Sequence, residues 1–431
     1  MKFPNFSDLD EEQLRIYGHA PSDGAILVIG APGTGKTVMA FHRAQKLAGI
    51  GQSPSVIMYN KVLQKYSGSR SGVAKGVPVM TMHQWVFRWW RGGGMGKWPP
   101  RDQQDRWSFD WEEIQARILA LDESDRRIAR LNWGHLIIDE GQDFPESMYF
   151  ALGRLMKHFK KCGQEAQVTV FADDNQRLEA DKNSTVKNIA RNLGIHRSTD
   201  RIFVLEKNYR NTKPVAQFAR YFQVGKESGA TSLPDRPGDL PTVAMFPEEH
   251  ELFDFIGRKA KLAGGKQVGV IVHGSKRDVR STYNKLKNRI PENFGIQRYY
   301  NDRELDLAET LDFDTKNMVT VVNEKSAKGL EFDLVFYVGL ERVDIDSSGA
   351  LNERMVAYVM SSRAREELVV LFSGIKADSR VPDGLSLMPK VDLDICRFDA
   401  FGELRDAAGD VLKKIQWREP DPDAPFWSEA A

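Results

Sequence analysis

Cysteine is nearly absent: the 431 residues contain two, Cys162 and Cys396, with nothing between them that resembles metal-ligand spacing. That excludes a disulfide-built scaffold and a cysteine-rich zinc framework, and makes a reducing cytoplasm the expected compartment. Long apolar runs are also missing. The longest, such as "AILVI", are strand-length and too short to cross a bilayer, so no membrane partner is expected. The opening "MKFPNFSDLDEEQ" lacks the apolar core of a secretory signal. Acidic residues are absent from Gly24 through Arg101, a stretch that carries eleven Lys/Arg. Arg258 through Arg289 holds ten Lys/Arg against Asp278 alone, and the chain is net acidic from Ile375 onward. With a net charge of only +1, these zones read as local anion-binding surfaces or as solvated helix faces. No repeat of solenoid length is present.

What is there is a soluble, globular composition, 41% apolar and 28% charged, in a chain long enough for two or three domains. Apolar, β-branched runs alternate with helical patterns: "AILVIG", "TVMAFHRAQKLAGI", "SVIMYN", "VPVMTMH", "HLIIDE", "VTVFAD". This rhythm predicts βαβ units around a parallel sheet. A second series runs "RIFVLEKNYR", "QVGVIVHG", the helix "KRDVRSTYNKLKNR", "MVTVVNE", "LVFYVG" and "ELVVLFSG". We expect one α/β domain over residues 1–205, a second over 206–415, and a flexible Pro/Asp-rich tail at 416–431. A small insertion is expected at about 89–132, with a helix-like "WEEIQARILALDESDRRIARL".

"ILVIGAPGTGKTVMA" places Gly30, Gly33, Gly35, Lys36 and Thr37 in the spacing G-x-x-x-x-G-K-[ST], with a strand before and a helix after. Glycines let the backbone curl so that its N–H groups face phosphate oxygens, and the helix N-terminus adds positive potential. Lys36 would reach the β- and γ-phosphates, and Thr37 would ligate Mg²⁺; ATP and Mg²⁺ are therefore the expected cofactors. "HLIIDEGQDF" ends a buried-looking strand in two adjacent carboxylates. Asp139 suits the metal, and Glu140 suits the general base that takes a proton from attacking water. Mg²⁺ would offset one of the two charges. A small-molecule kinase has less use for the second acid, so the pair favours hydrolysis of ATP.

"DEGQDF" also resembles the second motif of the UvrD/Rep/PcrA-type superfamily 1 DNA helicases, and further segments follow in that family's order from about residue 9 to 372. "DEEQLRIY" resembles the adenine-reading motif, with Gln13 as reader. "VIMYNKVLQ" and "TMHQW" resemble the segments that touch single-stranded DNA, and "FADDNQRL" the γ-phosphate sensor, with Gln176. "LEKNYRNT", "KSAKGLEFDLVF" and "YVMSSRAREEL" resemble the three motifs of the second core domain. The resemblance implies that Tyr209 stacks on adenine, Arg210 and Arg363 reach the γ-phosphate, Glu331 contacts the nucleotide, and Lys328-Gly329 form a coupling loop. It implies two RecA-like P-loop domains with parallel sheets and the ATP site in the cleft between them, moving 3′-to-5′ on single-stranded or tailed duplex DNA.

The acid-free stretch carries Tyr59, Tyr66, Trp85, Trp89 and Trp90 among its cations, a composition suited to phosphate contact and base stacking, or to packing of the insertion on the core. Asn60, Lys61, His83 and Trp85 are the candidate DNA contacts, with His83 equally readable as a hydrogen-bonded core histidine. Two features depart from the family. Glu179 and Asp181 stand near its base-stacking Tyr and Trp, and Lys325 replaces a histidine before "SAKGLE". The large insertion of the second domain is missing, which suggests a compact motor with a protein partner such as a nuclease. DNA repair and defence against foreign DNA are the contexts the resemblance suggests. The alternatives are a nucleic-acid-stimulated ATPase that does not separate strands, an RNA helicase, and a small-molecule kinase.

Overall fold

Ala25, Leu27 and Ile29 face one way along their strand and Ile26 and Val28 the other, and all five are buried. A strand apolar on both faces belongs inside a parallel sheet covered on both sides. The computed structural model, which describes residues 4–58, 76–173, 184–224, 232–300, 311–312, 315–345, 350–378 and 380–415, shows this arrangement twice.

In the first unit, which runs through Glu206, the strands are β1 (Ala25–Gly30), β2 (Pro54–Met58), β3 (Val79–Thr81), β4 (His135–Ile138), β5 (Gln167–Ala172) and β6 (Ile202–Leu205). They form a parallel sheet in the order β3-β2-β4-β5-β1-β6. Helices α1 (Glu11–His19) and α2 (Lys36–Gly49) cover one face. The other is covered by α3 (Met82–Gly92), α4 (Trp111–Leu119), α5 (Arg126–Leu131), α6 (Glu146–Lys161) and α7 (Val186–Asn192). "RIFVLE", which opens the second series but whose strand falls within residues 1–205, lies beside β1, with Leu27 opposite Ile202 and Gly30 opposite Leu205. Its own apolar pattern could not say which sheet it joins.

The insertion holds two helices rather than one. Ala120 ends α4, and Asp125 caps α5 through Arg127 N–H. Asp122 accepts from both the Ser124 backbone and hydroxyl, so the "DESD" turn chemistry interrupts the helical period.

The second unit begins at Lys207. Its elements are α8 (Lys213–Tyr221), β7 (Thr242–Met245), α9 (Glu249–Leu262), β8 (Gln267–Val272), α10 (Lys276–Lys287), β9 (Gly295–Tyr299), β10 (Met318–Asn323), α11 (Glu324–Ala327), β11 (Phe332–Val338), α12 (Ala350–Ser361), β12 (Ala364–Phe372) and β13 (Arg397–Ala400). Their parallel order is β13-β7-β12-β11-β8-β10-β9. Val268, Val270, Val321, Leu334, Phe336 and Leu371 form its core with Phe253 and Ile256 of α9 and Val279 of α10. The expected tail at 416–431 lies outside the described residues. Among the described residues no helix is long and apolar enough to cross a membrane.

Candidate functional site

The first unit builds a nucleotide cradle at the end of β1. Gly33 and Gly35 both take left-handed backbone (φ 84° and 85°), which lets the loop turn inward before α2 starts at Lys36. At Gly35 a side chain is also excluded by contact, since a Cβ there would lie 2.6 Å from Gln13 Nε2. Gln13 is fixed at both ends. Its carboxamide oxygen accepts from Asp10 N–H (3.3 Å) within a capping box, and its Nε2 donates to Thr34 O (3.3 Å). The residue expected to read adenine thus sits against the loop. The Lys36 ammonium is buried and donates to Gly30 O (2.7 Å) and Ala31 O (3.2 Å).

β5 lies between β1 and β4, and the first turn of α2 reaches across to the end of β4: Thr37 Oγ1 donates to Asp139 Oδ2 at 2.8 Å. Burial first, and then the neighbouring Glu140 charge, push the Asp139 carboxyl pKa up, opposed by the Thr37 hydrogen bond and Lys36. Asp139 Oδ1 is buried and has no hydrogen-bond donor among the described residues. A buried carboxylate oxygen without a donor, beside a P-loop hydroxyl, fits a hard divalent cation.

Glu140 is a non-glycine residue with left-handed backbone (φ 52°). Its carboxylate is held by Gln142, whose Nε2 donates to Glu140 Oε2 (2.7 Å) while its Oε1 accepts from Asp173 N–H (3.0 Å) at the end of β5. The turn is packed tightly. A Cβ at Gly141 would approach Val170 Cγ1 to 2.3 Å, and Tyr149 Oη donates to Gly141 O (2.6 Å). Sequence alone gives Gln142 no role: it stands two residues after the expected general base, but its second partner is a backbone amide at the end of another strand.

The second unit gathers a different set. Asn211 Nδ2 donates to Ser362 O (3.1 Å) and to Ala364 O, and Asn208 bridges Asn211 Oδ1 (2.9 Å) and Arg210 N–H (3.0 Å). This clamp fixes the loop that carries Tyr209, 38% exposed with Lys207 5.3 Å from its ring centroid, and Arg210. Arg210 pairs with Glu331, and Arg210 Nη1 and Glu331 Oε2 are buried with no hydrogen-bond partner among the described residues. Arg363 is fully buried, donating from Nε to Val359 O (2.8 Å) and from Nη2 to Ser362 Oγ (3.0 Å). Gly329, in the segment expected to form a coupling loop, has φ 81°, and Lys328 beside it is buried.

Of the DNA candidates, Asn60 and Lys61 lie outside the described residues, as does Gln176, the residue expected to sense the γ-phosphate. His83 is exposed at the start of α3, with Nε2 2.8 Å from Trp107 O. Trp85 is 4% exposed and stacked on Trp89 (centroids 5.0 Å apart, 7° between planes), with Trp133 edge-on to both. The packing alternative describes this ring: it belongs to the hydrophobic core and has no face open to a base.

Two parallel RecA-like sheets, one with a P-loop at its strand end, define a P-loop α/β protein. Residues 13–181 match the family model described as an AAA domain. Among solved structures, the chain is similar to the C-terminal domain of a possible DNA helicase from Lactobacillus plantarum WCFS1, at 19% identity and a TM-score of 0.31, covering 44% of this chain and 98% of that one. It is also similar to the DUF1998 helicase MrfA bound to DNA, at 10% identity and a TM-score of 0.49, covering 95% of this chain and 55% of that one. The comparison with curated proteins gives no match.

Proposed function

We propose that the chain is an ATP-dependent DNA helicase or translocase of superfamily 1, moving 3′-to-5′ along single-stranded DNA. The observation that carries the ATPase part is the Thr37–Asp139 hydrogen bond with Glu140 held beside it by Gln142. In this reading Thr37 and Asp139 would hold Mg²⁺, which would supply charge neutralisation at the phosphates. Lys36 and the loop amides bind the β- and γ-phosphates, Gln13 holds the adenine, and Glu140 accepts the proton of the attacking water. Arg210, released from Glu331, and Arg363 stabilise charge on the transferring phosphoryl group, with Tyr209 against the adenine and Gln176 sensing the γ-phosphate. The DNA contacts proposed are Asn60, Lys61 and His83. DNA repair or defence against foreign DNA is the proposed setting, with a nuclease as candidate partner.

A second reading, a strand-stimulated ATPase that does not separate duplexes, is favoured by the short span between "NYRN" and "KGLE". Strand release from duplexes with 3′ or 5′ single-stranded tails, measured with ATP, tests the first. The proposal expects release from 3′-tailed substrate. ATP turnover without release from either substrate favours the second reading, and stimulation by single-stranded RNA but not DNA would redirect both.

A further inference from the structure

The insertion exposes two indoles, Trp98 at 65% and Trp107 at 45%. Trp98 meets an aromatic cluster through its ring and Trp107 through its backbone carbonyl. Phe87 of α3 meets Trp98 edge-on (centroids 5.6 Å apart, 84°) and Phe109 likewise (5.9 Å, 70°). The Arg101 guanidinium lies over Phe87 (5.0 Å) and Phe109 (4.2 Å) and donates to Trp107 O (3.0 Å), the same carbonyl that His83 Nε2 approaches. Residues 101–109 are closed into a small hairpin by the Arg101–Phe109 bridge and the Asp102 N–H to Ser108 O bond (3.1 Å).

The Lys97 ammonium lies 5.5 Å from the Trp98 ring centroid and the Arg106 guanidinium 5.1 Å from that of Trp107. Arg88 and Arg91 are exposed on the adjoining helix. Asp102 and Asp105, both exposed, hold the hairpin's backbone: Asp102 Oδ1 accepts from Gln104 and Asp105 N–H, and Asp105 from Trp107 N–H and the Ser108 hydroxyl. Each exposed indole has a cation over its ring.

We propose that Trp98 and Trp107 form a stacking platform for a single nucleic-acid strand, with Lys97 and Arg106 directed at its phosphates and Arg101 holding the hairpin that carries Trp107. The pairing suits this occupant because every base has a π-face and every nucleotide a phosphate, so stacking plus cations binds without sequence preference. The proposal deepens the nucleic-acid reading above and rests on it. The platform is distinct from the candidates Asn60 and Lys61, and it takes over the stacking role that the buried Trp85 cannot fill.

The test is binding of a fluorescein-labelled oligothymidylate at fixed salt, read by anisotropy, to the full chain and to Trp98→Ala, Trp107→Ala, Trp98→Phe and Trp107→Phe. Exposed positions should leave thermal melting close to that of the parent. Each alanine variant is expected to bind about tenfold more weakly, the loss of one stacked base, and each phenylalanine variant to recover most of that loss. Parental affinity in both alanine variants would overturn the platform and leave the motor reading standing. Failure of the unmodified protein to bind the oligonucleotide would overturn both. Unchanged strand affinity with a shift in sedimentation of the alanine variants would reassign the patch to a protein contact.

Discussion

At Glu140 a residue with a Cβ occupies left-handed backbone, a conformation that costs of order 1 kcal/mol and persists where the surroundings enforce it. Gln142 and the packed Gly141 are those surroundings. Removing the Gln142 carboxamide takes away one donor that orients Glu140, so Gln142→Ala should lower kcat about 10- to 100-fold while changing KM for ATP little; an unaltered kcat would remove Gln142 from the positioning role. His135 gives a pH prediction at the same scale. It is enclosed in β4 between Gln52 Oε1 (3.0 Å) and Thr169 Oγ1 (2.8 Å), and burial, then the Arg43 charge, depress its pKa to about 3. The folded state holds it neutral while the unfolded chain protonates it below its ordinary value of 6.5. Its contribution is therefore complete above that value and is lost progressively as pH falls from there toward about 3. Denaturant unfolding should show about 2 kcal/mol of loss from this group by about pH 5, and His135→Gln should flatten that part of the slope. A slope identical in the two proteins would show that another group carries it. The P-loop residues were legible at this scale because their spacing is local. Trp85 was not, because a tryptophan in a basic stretch reads alike whether it faces solvent or the core, and only the partners Trp89 and Trp133 decide.

At the scale of elements, the alternating strands of both sheets could be read from their β-branched runs. The short strands β7, β9 and β13 could not: each is four or five residues, and β9 and β13 are edges with mixed polarity. The break between α4 and α5 escaped because the turn chemistry of "DESD" interrupts a pattern whose apolar period continues. The loop before α8 depends on the end of α12 and the start of β12 through Asn211, a contact between segments far apart in sequence. Asn211→Ala would strand the Ser362 and Ala364 carbonyls in a buried site. We expect a loss of about 1–3 kcal/mol in unfolding free energy, together with a weaker response of ATP turnover to single-stranded DNA because Arg210 loses its anchor. Normal stability in that variant would show the clamp to be dispensable.

At the scale of the whole molecule, the sequence divides its chemistry: Lys36, Thr37, Asp139 and Glu140 in one unit, Arg210, Glu331 and Arg363 in the other. In the proposed motor, a nucleotide gripped by groups from both units links breakage of one phosphate bond to a change in how the units hold a strand. That two α/β units exist was legible from the two series of strands; what the γ-phosphate does to them is a property of the loaded protein. The most direct measurement is steady-state ATP hydrolysis with and without single-stranded DNA, in the parent chain and in Glu140→Gln. The account predicts turnover that rises with DNA in the parent and falls by about 10³-fold or more in the variant, which still binds nucleotide. Hydrolysis in Glu140→Gln at the parental rate, or a parental rate indifferent to DNA, would contradict it.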